Sequence, residues 1–337
     1  MEKNAMSIRG CYLCKIFLAI MLGLSFLMTA CRTNNNNSVE KAVFDAHGQK
    51  VPDSEAGGPR TAWRSLDKSA DRVTGVGVLN ATIVFTNQDI CTSFLIDSGN
   101  TSGPAYVITN SHCTFFKHWG FDRLKSNEFR IDQPVSNHFV MFNHFVDVPE
   151  NQRMRFKLKK IAYMTEFGTD LAILEVDATL QTLIDSGINP LKLRKTRPGF
   201  GEPVRLIGVP LFHVSWSRNS LHISSCTVGR TAFIQNGVYT APQSVTHQCG
   251  SVEGFSGGPL ISDATGEVVL LNSHGAADSA YFDAACTYAT KPCEVLSDGT
   301  KKVWDNLNFA QYVDGISGCF ESSGVFDLKR LDCRLPK

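Results

Sequence analysis

At 337 residues the chain is long enough to bury one large hydrophobic core or two small ones. Its 33 Lys and Arg nearly balance its 32 Asp and Glu, a net charge of +1 with 19% charged residues. No general field therefore draws it to nucleic acid, and none is expected as a partner.

Residues 1–31 read as an export signal. Lys3, Arg9 and Lys15 supply positive charge before an apolar run of 13 residues, 16–28, which is short for a bilayer span and suited to a signal core. The run ends in Leu27-Met28-Thr29-Ala30-Cys31, which resembles a bacterial lipoprotein box with Met28 in place of the usual leucine. Cys31 is then the lipidated residue and new N-terminus. This predicts a protein anchored through lipid in the bacterial cell envelope, the outer membrane favoured. Ordinary signal cleavage with secretion, or an uncleaved anchor, are the alternatives. Cys11-x-x-Cys14 imitates a redox or zinc motif but falls inside the removed segment.

Residues 32–72 are polar and turn-rich, with an asparagine run at 34–37 and Gly57-Gly58-Pro59, and predict a flexible tether or pro-segment that includes His47. From residue 73 short β-rich runs follow one another at 81–85, 92–96, 105–109 and 139–142. The basic stretch 153–160 alternates cationic and apolar residues, the period of a half-buried strand with a solvated face. A second set of runs lies at 203–208, 221–223, 233–234, 268–271 and 303–304. No long helical stretch separates them, so the fold class is all-β, a barrel or sandwich. The segment 191–200, with Lys192, Arg194, Lys195 and Arg197 around Pro198-Gly199, is the connector. It divides a first β-barrel at 73–195 from a second at 196–318. Residues 308–313 are expected to lead into a short C-terminal helix, and 319–337 form a terminal extension.

Of 11 cysteines, three lie in or at the end of the signal, which leaves eight: Cys91, Cys113, Cys226, Cys249, Cys286, Cys293, Cys319 and Cys333. An even set in an exported protein reads as disulfides, with a connectivity that counting alone leaves open.

The chemistry concentrates in three segments. Gly254-Phe255-Ser256-Gly257-Gly258-Pro259-Leu260 suits a nucleophile on a tight turn, where glycines let backbone N–H groups converge on one spot. Thr109-Asn110-Ser111-His112-Cys113 follows the apolar Tyr106-Val107-Ile108, and Thr169-Asp170 opens the run Leu171-Ala172-Ile173-Leu174. A serine hydroxyl is a weak nucleophile and needs a base; His112 supplies one near neutral pH, and Asp170 fixes its tautomer. Taken singly, these could be a hairpin serine, a structural histidine and a strand-capping aspartate. In the order His, Asp, Ser they carry more.

Together, from about residue 73 to about 317, these motifs resemble the chymotrypsin-fold (trypsin-like) serine endopeptidases, closer to the bacterial glutamyl-endopeptidase-like branch. The resemblance implies two antiparallel β-barrels packed face to face with the active site in the cleft, His112 and Asp170 from the first and Ser256 from the second. It implies peptide-bond hydrolysis through an acyl-enzyme, a polypeptide substrate, no cofactor and no metal. The backbone N–H groups of Gly254 and Ser256 would form the oxyanion hole. A disulfide Cys91–Cys113 would tie the strand before His112 to the residue after it, and Cys226–Cys249 would lie in the second barrel. Cys286–Cys293 and Cys319–Cys333 are paired by proximity only. Pancreatic-type relatives carry an aspartate before the nucleophile that receives a new N-terminal ammonium group. Here that residue is Phe255, so activation by that ion pair should be absent.

Substrate-binding expectations also come from the resemblance. Gly250 falls at the pocket base, which leaves no carboxylate for a basic P1 residue. Ser251 falls where glutamyl endopeptidases place a hydroxyl, and Ser273, His274 and Gly275 form the adjoining segment. Asn272 is the matching position for those enzymes' histidine; His274, two residues on, would share its face of a regular strand. Acidic P1 and small or apolar P1 both remain open. His138 and His144 lie in an aromatic strand-and-turn region, and His118, His213 and His222 have no partner visible in sequence. Two other functions fit the same fold: a catalytically silent binding or adhesion protein, and an esterase using the same acyl-transfer site.

Overall fold

The computed structural model describes residues 62–71, 73–81, 90–114, 124–125, 127–210, 220–237, 239–275, 286 and 292–337. The signal, Cys31, most of the tether, His47, His118 and His213 lie outside the described residues.

Strands dominate. A short β1 (Trp63–Ser65) precedes β2 (Val76–Ala81), β3 (Ile90–Leu95), β4 (Pro104–Thr109), β5 (Phe129–Pro134), β6 (His138–Phe142), β7 (Met154–Thr165) and β8 (Leu171–Thr179). Antiparallel pairing runs β6–β2–β3–β4–β8–β7 and returns to β6, closing a six-stranded barrel with β5 added on β7. The second set is β9 (Pro203–Gly208), β10 (His222–Asn236), β11 (Tyr239–His247), β12 (Pro259–Ser262), β13 (Val268–Gly275), β14 (Cys293–Val295), β15 (Lys301–Lys302) and β16 (Asn308–Tyr312). Here β10–β9–β12–β13–β16–β11 returns to β10, and β14 and β15 extend from β10.

Side-chain alternation explains the first barrel's wall. Along β7, Arg155, Lys157 and Lys159 are exposed while Leu158 is buried. Carboxylates answer the cations: Lys159 Nζ lies 2.6 Å from Glu175 Oε1 and Lys160 Nζ 2.5 Å from Asp132 Oδ1. Leu79, Leu95, Val107, Val140, Leu158 and Leu174 fill the first barrel, and Val204, Leu206, Val245, Leu260 and Leu270 the second. A further cluster joins Val78, Phe94, Ile108 and Ile173 to Ile207, Ile261, Val268 and Leu271, so the two barrels share a packed face.

Three features differ from expectation. Residues 308–312 form β16, paired with β11 and β13, and are followed by one 3₁₀ turn, Ser317–Cys319, rather than a terminal α-helix. The extension lies directly against that turn: a Cβ on Gly318 would stand 2.1 Å from the Asp332 carbonyl oxygen. The extension then returns to the first barrel, where Tyr163 Oη donates to the Pro336 carbonyl at 3.0 Å. A short α-helix, α1 (Lys68–Asp71), falls in the segment read as tether, and α2 (Leu180–Asp185) follows β8 with the Thr179 side chain capping the Thr182 amide. Finally, Trp63–Ser65 pairs with β10 and Leu66 is fully buried, so the tether ends earlier than composition suggested.

The disulfides join Cys91 to Cys113, Cys226 to Cys249, Cys286 to Cys293 and Cys319 to Cys333.

Candidate active site

The apolar β4 ends at Thr109, and after Asn110 the 3₁₀ turn Ser111–Thr114 carries His112. Asp170 sits just before β8, the strand paired with β4. Asn110 Nδ2 donates to the Asp170 carbonyl at 2.8 Å, which ties the two segments. The Asp170 carboxylate accepts the His112 backbone N–H through Oδ1 at 3.0 Å and faces His112 Nδ1 through Oδ2 at 2.5 Å. Nδ1 must carry the proton to donate there, which leaves Nε2 as an acceptor, the tautomer a general base requires. Burial works against the charged form of Asp170, whose side chain is 1% exposed. The His112 charge and hydrogen bonds, helped by His274, outweigh it and hold the carboxyl below its usual range.

Ser256 comes from the second barrel, on a loop bent by two left-handed glycines, Gly254 (φ 95°) and Gly257 (φ 81°). That loop is stitched to β3: Thr92 N donates to the Ser256 carbonyl at 2.8 Å and Thr92 Oγ1 to the Gly254 carbonyl at 2.7 Å. The preceding residue, Cys91, is bonded to Cys113, the neighbour of His112, so both segments are tied to one strand. Ser256 Oγ donates a long 3.4 Å contact to the Ser273 carbonyl. The amides of Phe255, Gly257 and Gly258 bond to the carbonyls of Val252, Asn272 and Phe255. Among the described residues, those of Gly254 and Ser256 have no acceptor.

Asn272, which the sequence offered only as a specificity position, holds this loop in place. Its Nδ2 donates to the Phe255 carbonyl at 3.0 Å and its backbone bonds to Gly257 and Gly258 at 2.9 Å each. Its Oδ1 faces His247 Nε2 at 3.0 Å. His247 is buried, with no sequence motif to mark it. Burial drives its pKa down to about 4, against the opposing Asn272 bond. The unfolded chain, with an ordinary histidine value near 6.5, takes up a proton that the native state refuses. This contribution is complete above about pH 6.5 and fades as pH falls toward 4, by about 3 kcal/mol in all. Urea midpoints should therefore drop between pH 7.5 and 4.5, and His247→Gln should flatten that dependence. Glu202, held at about 2 by Arg194, loses its contribution at lower pH. An unchanged slope in His247→Gln would contradict the assignment.

Among the residues expected from the sequence to bind substrate, Gly250 N donates to Ser224 Oγ at 2.8 Å. A Cβ on Gly275 would lie 2.5 Å from Asn308 Oδ1 and 3.9 Å from Ser251 Oγ, so these three residues converge. Asn308 Nδ2 donates to the Cys249 carbonyl at 2.6 Å, while its buried Oδ1 meets no donor among the described residues. His274 differs from expectation. The register of β13 against β16 shifts between Asn272 and His274, and a bulge breaks the two-residue alternation. His274 stacks on Tyr239 (5.3 Å, 15°), its ring centroid lies 5.6 Å from that of His112, and its Nε2 lies 4.0 Å from Asp170 Oδ2. Ser273 Oγ bonds its Nδ1 at 2.6 Å.

His138 and His144 are buried, and His222 bonds Ser65 Oγ at 2.9 Å. Three groups bring metal-ligating side chains together among the described residues. Two contain the cysteines of disulfides 91–113 and 226–249, whose sulfurs are not thiolates. The third is His112, Asp170 and His274, where the carboxylate already accepts from His112.

The family model described as a trypsin-like peptidase domain matches residues 91–269. Among curated proteins no relative matches the chain. Solved structures similar to it include the HtrA-type protease AlgW with tripeptide, at 17% identity and TM-score 0.41, covering 72% of this chain and 57% of that one. The Rv3671c protease from M. tuberculosis in its active form is 14% identical with TM-score 0.45, covering 80% and 86%. The protease Anisep from Arthrobacter nicotinovorans is 17% identical with TM-score 0.41, covering 71% and 90%. The chain thus spans little more than half the length of the AlgW chain. With more than half of its residues matched by the family model, the chain belongs to the trypsin-like peptidase domain family.

Proposed function

We propose that the protein is an exported serine endopeptidase with Ser256 as nucleophile, His112 as general base and Asp170 as the group that orients it. The observation that carries this reading is the His112–Asp170 hydrogen bond, which leaves Nε2 as acceptor. The amides of Gly254 and Ser256, which have no acceptor among the described residues, support it. Ser256 Oγ attacks the scissile carbonyl carbon while its proton passes to His112 Nε2. The carbonyl electron pair moves onto oxygen, where those two amides receive it. As the C–N bond breaks, His112 returns the proton to the leaving amine, and Ser256 remains as an acyl ester. Water, deprotonated by the same ring, then releases the acid and restores the serine.

Ser251, Gly275 and Asn308 support a P1 pocket for small, neutral side chains. Among the described residues Asn308 Oδ1 is an acceptor without a donor, so a P1 carboxylate brought beside it would meet an oxygen lone pair. A peptide library varied at P1 should yield cleavage after small neutral residues. Cleavage dominated by glutamate would overturn this specificity, and turnover of simple esters without any peptide cleavage would replace the endopeptidase with an esterase.

Attachment through diacylated Cys31 completes the proposal, since several acyl chains hold a protein where one is marginal. Arg32 is not the aspartate associated with inner-membrane retention, which favours the outer membrane. The protein should partition into the detergent phase, and Cys31→Ala should move it to the aqueous phase. Unchanged partitioning would rule out this anchor.

A further inference from the structure

We propose that Trp63 is a positioning residue for the nucleophile loop and that residues 63–68 form a strap the active enzyme must retain; this rests on the peptidase reading above. Phe255 separates Gly254 from Ser256, the two residues whose amides have no acceptor among the described residues. The direction of both amides therefore depends on where the fully buried Phe255 ring is held. It is held from two sides. Gly208 presses on it so closely that a Cβ there would stand 2.5 Å from a ring carbon. On another side the Trp63 indole meets it edge-on, centroids 6.0 Å apart at 71°.

Trp63 is itself fixed. It lies opposite Ser224 on β10, and its ring packs edge-on against His222 at 4.5 Å, a histidine bonded in turn to Ser65 Oγ at 2.9 Å. Ser224 Oγ accepts the Gly250 amide, so the strand that receives the strap also supports the proposed pocket base. Past β1 the strap reaches both barrels. Leu66 N donates to the Leu221 carbonyl at 2.8 Å, the Leu66 carbonyl accepts from Val146 N at 3.0 Å, and Lys68 N donates to Asp147 Oδ1 at 2.9 Å. No charge is involved where Trp63 meets Phe255. An aromatic contact made by a strand well inside the chain, needing no free N-terminus, supports the loop. It follows that any maturation cut in an active enzyme falls before Trp63.

Trp63 keeps 37% of its surface exposed, so its removal should spare the fold while loosening the loop. The experiment compares full-length wild type with Trp63→Ala, Trp63→Phe and Leu331→Ala. It reads kcat and KM on a cleaved peptide, the rate of reaction with a fluorophosphonate, and the melting temperature. Trp63→Ala should lower kcat and the probe rate about tenfold with KM within about twofold and melting within a few degrees, the signature of a misaligned oxyanion site. Trp63→Phe should recover most of the loss, and Leu331→Ala, at a fully exposed position outside the strap, should match wild type. Wild-type kcat in Trp63→Ala overturns the strap, as does a loss that tracks melting and is not rescued by Trp63→Phe. A folded wild type that neither cleaves peptide nor reacts with the probe overturns the peptidase reading and the strap together. An active wild type indifferent to Trp63 overturns the strap alone.

Discussion

Ser256→Ala and His112→Ala should each lower kcat by roughly 10⁴–10⁶, and the double variant should be little worse than either. The reason is mutual dependence. Without the imidazole, Ser256 keeps its proton; without the hydroxyl, the base has nothing to activate. Asp170→Asn should cost about 10⁴, because an amide facing Nδ1 no longer enforces the tautomer that the 2.5 Å contact sets in the wild type. Steady-state kinetics on one cleaved peptide checks all three. Additive losses in the double variant would mean that the serine and histidine do not act as a unit.

The second large effect belongs to Gly257→Ala. Gly257 has φ 81°, and a Cβ there would lie 2.1 Å from the Thr92 carbonyl oxygen and 2.2 Å from Thr109 Oγ1. Backbone strain and a clash with a buried strand act together, so the expected destabilisation is about 4 kcal/mol or more. The loop can escape only by pulling away from Thr92, which breaks the bonds to Gly254 and Ser256. Activity per folded molecule should therefore fall as well, about 100-fold. Gly266→Ala is the comparison: φ is 71° but nothing lies within 4 Å, so strain alone should cost about 1–2 kcal/mol. Urea unfolding of both variants provides the check, and equal losses would contradict the close packing of Gly257.

Much of the fold was legible because alternation is local. The cationic stripe of β7 announces a solvated face, and its carboxylate partners need no special sequence signal. The pairing of His112 with Asp170 and the bent loop of Ser256 were legible for a related reason: chemistry restricts residue type, and glycine marks the left-handed turns. What stayed hidden depends on partners distant in sequence. The strand Trp63–Ser65 is too short for any period and gains order only from β10. The bulge in β13 that turns His274 toward Asp170 is a property of its pairing with β16. Asn272 and His247 bond across strands, and neither residue carries a motif of its own. The 308–312 segment reads as the approach to a helix until the closing partners β11 and β13 are known.

Ser256 as nucleophile is tested by reaction of the folded, full-length protein with a fluorophosphonate, followed by peptide mapping. One adduct on Ser256 is expected, with its formation slowed strongly in His112→Ala. A folded protein that acquires no adduct, or acquires it on another serine at the same rate in Ser256→Ala, would contradict the account.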